Sequence, residues 1–270
     1  MEINHISSLS KNVRKNILKA ALEAGSASAH IGGALSSVEI VSTLYSRFIS
    51  FPEKKNWHQR DRFILSKGHA CLVLYSVLLE KKLITEKEFS TFEKNNSILP
   101  GHPVINKFKG IEFSNGSLGL GLSLAIGTAV ALKKKNKKNK VYVLLGDGEC
   151  NEGSVWEAAL LAPNLNLNNL TCIIDKNNFQ QTGSSNEILN TEDLSFKWKS
   201  FNWEVIEVNG HEIKELINAL ETETSKPKLI IAKTIKGKGL NFAENNNEWH
   251  HKILTKKLYD EAIKNLNNND

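Results

Sequence analysis

Short apolar runs closed by glycine or polar residues alternate along this chain with longer stretches whose apolar residues recur every three or four positions. A 3.6-residue period gives a helix one buried stripe, and an unbroken apolar run suits a strand buried on both faces. The strand-like runs are "DRFILS", "VYVLLG" (Val141 to Gly146), "LTCIIDKNN", "WEVIEVNG" and "KLIIAKTIKGKG". Around and between them, "RKNILKAALEAG" stops on Gly25, "SSVEIVSTLYSRF" repeats the helical period, and "GHACLVLYSVLLEKK" and "EIKELINAL" follow it. "GSVWEAALLA" is helical until Pro163 stops it. This order predicts an α/β fold: a doubly wound, mainly parallel sheet with helices on both faces. With no internal repeat and no Pro/Ser-rich linker, residues 1–270 are expected to form a single domain.

Several function classes are disfavoured at once. No apolar run approaches the ~20 residues needed to cross a bilayer, so no membrane partner is expected. The opening "MEINHISSLSKNVRKN" lacks the apolar centre of a signal peptide, and Cys71, Cys150 and Cys172 show no C-x-x-C spacing. Both features predict a cytoplasmic protein with reduced thiols. The net charge of +6 raises nucleic acid as a partner. Much of that charge, however, lies in "KKKNKKNK", Lys133 to Lys140, which no aromatic residue interrupts. It reads as a solvated loop, and no nucleic-acid partner is expected.

In parallel α/β sheets, ligands bind beyond the carboxyl ends of the strands. Three unusual polar stretches occupy such ends: "SKGHA", "LLGDGECNEG" and "DKNNFQQTG". In the second, Asp147 lies between Gly146 and Gly148. A carboxylate there suits a hard cation, bound through oxygen at about 2.0–2.1 Å if it is Mg²⁺. The glycines let backbone N–H groups approach an anion. Cation and anion together describe a diphosphate clamped through its metal, although a tight turn alone explains a lone GDG.

The spacing adds weight. Positions 149 to 176, 28 residues, separate Gly148 from Asn177-Asn178. One strand-to-strand crossover fills that gap and would present Asp147 and Asn177 to the same cation. GDG, a gap of this size and then Asn resembles the thiamine diphosphate fingerprint. Other phosphate motifs fail, since "GLGLGLS" has Leu124 where G-x-G-x-x-G needs its third glycine and no P-loop occurs.

Eight histidines are present, and four stretches stand out: "AHIGG" (His30), "SKGHA" (His69), "PGHP" (His102) and "EWHHK" (His250, His251). Imidazoles on such turns suit a phosphorylated or polyhydroxylated ligand, and they titrate near neutral pH. A zinc site is the rival reading, but the short-range spacing of common zinc ligands is missing. His5, His58 and His211 read as surface or turn residues.

Along nearly its whole length the chain resembles the N-terminal, diphosphate-binding part of transketolase. The resemblance rests on "AHIGGALSSVEI", "RDRFILSKGHACLVLYS", "PGHP", "SNGSLGLGLSLAIGTA", "GDGECNEGSVWEAA", "DKNNFQQTG", "KWKSFNWEVIEVNGH" and "TIKGKGLNF" followed by "WHH". It implies thiamine diphosphate and Mg²⁺ or Ca²⁺ as cofactors. Asp147, Asn177 and the Phe179 carbonyl would ligate the metal, with Gly148, His69 and His250 on the diphosphate. Gly116 and Leu118 would meet the aminopyrimidine through backbone groups. His30, His69, His102 and His250 would line the substrate channel, and Glu152 would connect the two cofactor sites of a dimer. Three positions depart from the family: Ile31 replaces a usual proline, Thr182 an aspartate, and His251 the glycine after the WH pair. Of the adjacent pair, His250 is expected to face the cofactor.

The family's activating glutamate lies in a pyrimidine-binding domain that this sequence does not contain; it runs to an Asn-rich tail at Asp270. The resemblance therefore implies one subunit of a split transketolase. Its partner would be a C-terminal subunit with the pyrimidine domain, in an α2β2 heterotetramer that moves a two-carbon ketol group between sugar phosphates. The readings kept beside it are a split enzyme of a specialised sugar pathway, the α subunit of a 2-oxo acid dehydrogenase, a relative of deoxyxylulose-phosphate synthase, and a non-catalytic orphan.

Overall fold

A computed structural model describes residues 2–52 and 54–268; the last two residues of the Asn-rich tail lie outside them. The chain opens with α1 (Glu2–Ala24), α2 (Gly32–Ser36) and α3 (Val38–Thr43). Strand β1 (Arg62–Leu65) leads to α4 (Cys71–Glu80) and a short α5 (Glu86–Phe89). Then come α6 (Leu120–Lys134), β2 (Val141–Gly146), α7 (Gly153–Asn164) and β3 (Leu170–Lys176). The last part holds α8 (Ser185–Ile188), α9 (Leu194–Ser200), β4 (Glu204–Asn209), α10 (Ile213–Glu221), β5 (Lys228–Lys233) and α11 (Lys256–Asn268).

The five strands form one sheet in the order β1-β2-β3-β5-β4, and every pairing is parallel. Strand side chains alternate between two separate cores, as the pleat requires. Tyr142, Leu144, Ile173, Ile230 and Ala232 point into the larger one, which α1, α3, α4, α10 and α11 cover. Val141, Val143, Leu145, Cys172, Ile174, Leu229 and Ile231 point into the other, closed by α6, α7 and α9. Burial on both faces explains why β2, β3 and β5 read as unbroken apolar runs. No helix among the described residues is long and apolar enough to cross a membrane, and Cys71, Cys150 and Cys172 are buried free thiols.

Local expectations needed correction. "SSVEIVSTLYSRF" is not one helix: α2 ends at Ser36, α3 at Thr43, and a π-turn covers Leu44–Phe48. Pro163 does not stop α7, which runs on to Asn164. Proline deprives the carbonyl four residues earlier of its donor, and Trp203 Nε1 supplies one to Ala159 O at 2.8 Å. The lysine run is not all loop. Lys133 and Lys134 end α6, and Lys133 Nζ donates to the carbonyls of Leu165 (3.2 Å) and Asn166 (2.7 Å). Nor is His211 a mere turn residue. Its Nδ1 lies 2.9 Å from Glu39 Oε2 and its Nε2 accepts from Ile235 N–H at 2.9 Å. His5 and His58 are exposed.

Candidate functional site: a cleft at the strand ends

The carboxyl ends of β1, β2, β3 and β5 open onto a cleft of about 300 Å³. Every residue to which the sequence assigns a metal, cofactor or catalytic role lines it. His69 arrives on the short turn after β1, Asp147 and Gly148 follow β2, and Asn177 and Phe179 follow β3. Loops and helix starts bring His30, His102, Gly116, Leu118, Glu152 and His250.

Asp147 is 4% exposed. Its Oδ2 accepts from Asn178 N–H at 2.8 Å and Ser185 Oγ at 3.0 Å, and a backbone hydrogen bond from Gly148 also favours the charged form. Burial, and then the nearby charge of Asp175, push the Asp147 carboxyl up to about 6. A cation beside it would relieve that cost. Asn177 Oδ1 accepts from Phe179 N–H at 3.1 Å, a bond that uses one of its two lone pairs.

Behind these residues Asp175 is fully buried. Its Oδ2 accepts from Ser36 Oγ (2.6 Å), Ser37 Oγ (3.1 Å), Asn177 Nδ2 (3.2 Å) and the Lys67 ammonium, and its Oδ1 accepts from Thr234. Burial raises its pKa, but Lys67 and these donors outweigh burial and hold it below the ordinary aspartate value. One carboxylate thus ties α2, β1, β3 and the end of β5 together under the cleft floor.

Four imidazoles gather around His30. Its ring centroid is 5.7 Å from His69, 5.7 Å from His102, 5.3 Å from His250 and 4.2 Å from His251. Burial, then the neighbouring rings and Lys236, lower His30 to about 3. Burial, then Lys236, lower His250 to about 4, and burial with Lys67 holds His69 well below its usual value. These three rings are neutral at pH 7, each with one N–H and one lone pair. His250 lines the cleft, whereas His251 is exposed and hydrogen-bonds Ser28 Oγ through Nε2 at 3.0 Å.

The sequence pattern did not reveal Lys236. It is 2% exposed and lines the cleft, where its Nζ meets Gln180 O (3.2 Å), Asn247 Oδ1 (2.6 Å) and His250 Nδ1 (3.2 Å). All three partners are uncharged, and burial lowers its pKa to about 8, so at pH 7 it is a buried cation awaiting an anion. The nearest sign was "TIKGKG", a fourth strand end with polar content, which marks the loop but not the burial of Lys236. Gln180 also escaped notice. Its Nε2 is buried without a hydrogen-bond partner, as is Asn151 Oδ1, and both residues line the cleft.

The glycines answer different needs. Around Gly146 a Cβ would meet open space, while at Gly148 it would lie 2.7 Å from Gln180 Cγ. Gly119 has φ +85°, and a Cβ there would come within 2.5 Å of Ser154 Oγ and 2.7 Å of Glu152 Cβ. Only glycine adopts that conformation at so close an approach.

These residues fit a metal-bound diphosphate. A carboxylate, a carboxamide oxygen and a backbone carbonyl are the oxygen donors Mg²⁺ and Ca²⁺ take. Among the described residues no group of three or more His, Cys, Asp or Glu side chains could hold a metal ion. Lys236 brings a buried positive charge whose N–H groups meet only uncharged acceptors, and Gln180 Nε2 brings a donor without a partner.

A parallel α/β domain with this floor and these walls is of the cofactor-binding class whose ligand is a diphosphate. The family "Transketolase, thiamine diphosphate binding domain" matches residues 10–268, and this chain belongs to it. The chain is 37% identical over 268 residues to an apulose-4-phosphate transketolase subunit of Phocaeicola vulgatus, covering 98% of this chain and 94% of that one. It is 36% identical over 241 residues to a 6-deoxy-6-sulfo-D-fructose transketolase subunit of Clostridium sp., covering 88% of each. The crystal structure of Campylobacter jejuni transketolase superposes with a TM-score of 0.86 at 31% identity, over 97% of this chain and 42% of that one. The chain thus spans about two fifths of the solved enzyme's length.

Proposed function

We propose that the chain is the metal- and diphosphate-holding subunit of a two-chain transketolase and moves a two-carbon ketol group from a ketose phosphate to an aldose phosphate. The observation that carries this reading is the convergence of Asp147, Asn177, Lys236 and the three neutral histidines on one cleft. Relatives matched over most of their own length are themselves named as single subunits of a transketolase, which supports a partner chain. That partner supplies the pyrimidine-binding domain, and residues 1–270 form a single diphosphate-binding domain. The assembly is an α2β2 heterotetramer in the cytoplasm, where three buried thiols stay reduced.

Asp147, Asn177 and the Phe179 carbonyl would hold the divalent metal. Lys236, His69, His250 and the backbone at Gly148, which line the cleft, would hold the diphosphate, while Gly116 and Leu118 would meet the aminopyrimidine. When bound, thiamine diphosphate would supply a nucleophilic carbon for ketol transfer. His30 and His102 line the cleft, where imidazole can donate to or accept from the sugar's hydroxyls and carbonyl oxygen. Glu152 lies at the edge of the cleft beside Gly119 and connects to the second site of the dimer.

The relatives' names include apulose 4-phosphate and 6-deoxy-6-sulfo-D-fructose, which favours a specialised sugar pathway over the pentose phosphate pathway. The deciding experiment is a native pull-down followed by a ketol-transfer assay of the reconstituted pair. The panel is xylulose 5-phosphate with ribose 5-phosphate, and apulose 4-phosphate. A pyrimidine-domain partner and turnover by the pair alone support the proposal. Full turnover by the purified single chain refutes it.

A further inference from the structure

We propose that Lys236 is a positioning residue that fixes the tautomer of His250, placing the ring proton on Nε2 and making that nitrogen a donor.

An ammonium has three N–H groups and no lone pair. Three atoms lie within hydrogen-bond distance of Lys236 Nζ: Gln180 O at 3.2 Å, Asn247 Oδ1 at 2.6 Å and His250 Nδ1 at 3.2 Å. The carbonyl can only accept. Asn247 is oriented independently, since its Nδ2 donates to Gln181 O at 3.0 Å and so turns its oxygen toward the lysine. The third N–H therefore goes to His250 Nδ1, which must present a lone pair. A neutral ring with a lone pair on Nδ1 carries its hydrogen on Nε2. His250 stays neutral at pH 7, because burial and Lys236 both oppose a second proton.

His211 shows the opposite arrangement in the same molecule. Its Nε2 accepts from Ile235 N–H, which puts the ring hydrogen on Nδ1, toward Glu39. Lys236 and the residue just before it thus hold two histidines in opposite tautomers. Neither is dictated by sequence spacing; each follows from the one partner that cannot change roles.

An Nε2–H suits His250 to a phosphate oxygen and disqualifies Nε2 as a base in the resting site. That it meets the cofactor's diphosphate rests on the function proposed above; the tautomer does not.

The test is ¹⁵N NMR of the full-length chain with labelled histidine at pH 7, using long-range proton–nitrogen correlations. His250 is assigned by the signal lost in His250→Gln. The wild type should show a lone-pair shift at Nδ1 and a protonated shift at Nε2. Lys236→Met, which keeps the chain length and loses the donor, should move His250 toward a tautomer mixture. Lys236→Gln, whose amide N–H can reach Nδ1, should restore the wild-type pattern.

The unchanged His211 signal reports an intact fold in each variant. A protonated Nδ1 in the wild type overturns the proposal, as does an unchanged tautomer in a folded Lys236→Met. If that variant does not fold, the wild-type shifts alone decide. Adding MgCl₂ and thiamine diphosphate should then perturb Nε2. A lack of perturbation counts against the cofactor reading and leaves the tautomer result standing.

Discussion

Asn177 donates its Nδ2 back to the Asp175 carboxylate, two residues earlier, at 3.2 Å. A carboxylate only accepts, so this bond settles which end of the amide faces where: Oδ1 turns toward Phe179 N–H and the cleft. The Asn177 carboxamide is therefore aimed from below by a residue that does not itself line the cleft.

Asp175 can do this only while Lys67 neutralises it. The pair is almost wholly buried, with side chains 0% and 1% exposed. Lys67→Met strands the carboxylate in the interior and should destabilise the protein by about 3–5 kcal/mol. Lys67→Met combined with Asp175→Asn should cost less than Lys67→Met alone, because no buried charge remains. Urea unfolding of Lys67→Met, Asp175→Asn and the double variant measures this. A double variant as unstable as the sum of the singles would show that the charges do not interact.

The neutral imidazoles should make stability acid-sensitive. His30 has an ordinary value of 6.5 and is lowered to about 3 in the folded chain. Between those values the unfolded chain binds a proton that the folded chain refuses. Stability contributed by the neutral ring is full above about pH 6.5 and is lost as pH falls toward 3. Melting temperature should thus drop between pH 7 and pH 4, and less steeply in His30→Gln. Parallel curves for the two proteins would mean that His30 is not desolvated in the native state.

How much of this was legible in the sequence depends on whether a feature is set by local pattern or by distant partners. The sheet was legible because β2, β3 and β5 are buried on both faces and must be apolar throughout. Asp147 and Asn177 were legible because one crossover separates two neighbouring strands, a spacing the fold makes regular. The histidine turns were legible from their polar stretches at loop and strand ends. Lys236 was not, because lysine in a polar loop is ordinary and only the fold reveals it as buried with uncharged partners. Asp175 was hidden likewise: an acid closing an apolar strand shows no sign of Lys67, 108 positions away. The end of α7 was misread because the donor that lets the helix continue past Pro163 lies 44 positions from Ala159.

Within the cleft, binding and turnover should separate by residue. A residue that merely supports a metal ligand is worth roughly 10–100-fold in metal affinity. Asp147→Ala, which removes a proposed ligand itself, should therefore weaken Mg²⁺-dependent thiamine diphosphate binding by at least about 100-fold. His102→Ala should leave cofactor affinity near wild type and lower kcat by roughly 100-fold or more, the range for a lost proton-transfer group. Calorimetry and ketol-transfer kinetics of the reconstituted pair check both. Equal cofactor affinity in wild type and Asp147→Ala would sink the metal assignment.

Trp203 and Pro163 should be coupled although they do not share an element. Proline at 163 leaves Ala159 O without its helical donor, and Trp203 Nε1 takes that donor's place at 2.8 Å. Trp203→Phe keeps most of the buried ring but orphans the carbonyl, which should cost about 1–3 kcal/mol. In a Pro163→Ala background a backbone N–H is restored to the same carbonyl, so Trp203→Phe should cost less there. The difference, measured by a double-mutant cycle in urea, is expected within the range of about 0.5–3 kcal/mol typical of groups that share a partner. Strict additivity would show that the indole contributes only by its packing, against Trp198 and the rest of the second core, and that the carbonyl finds another donor when the indole is gone.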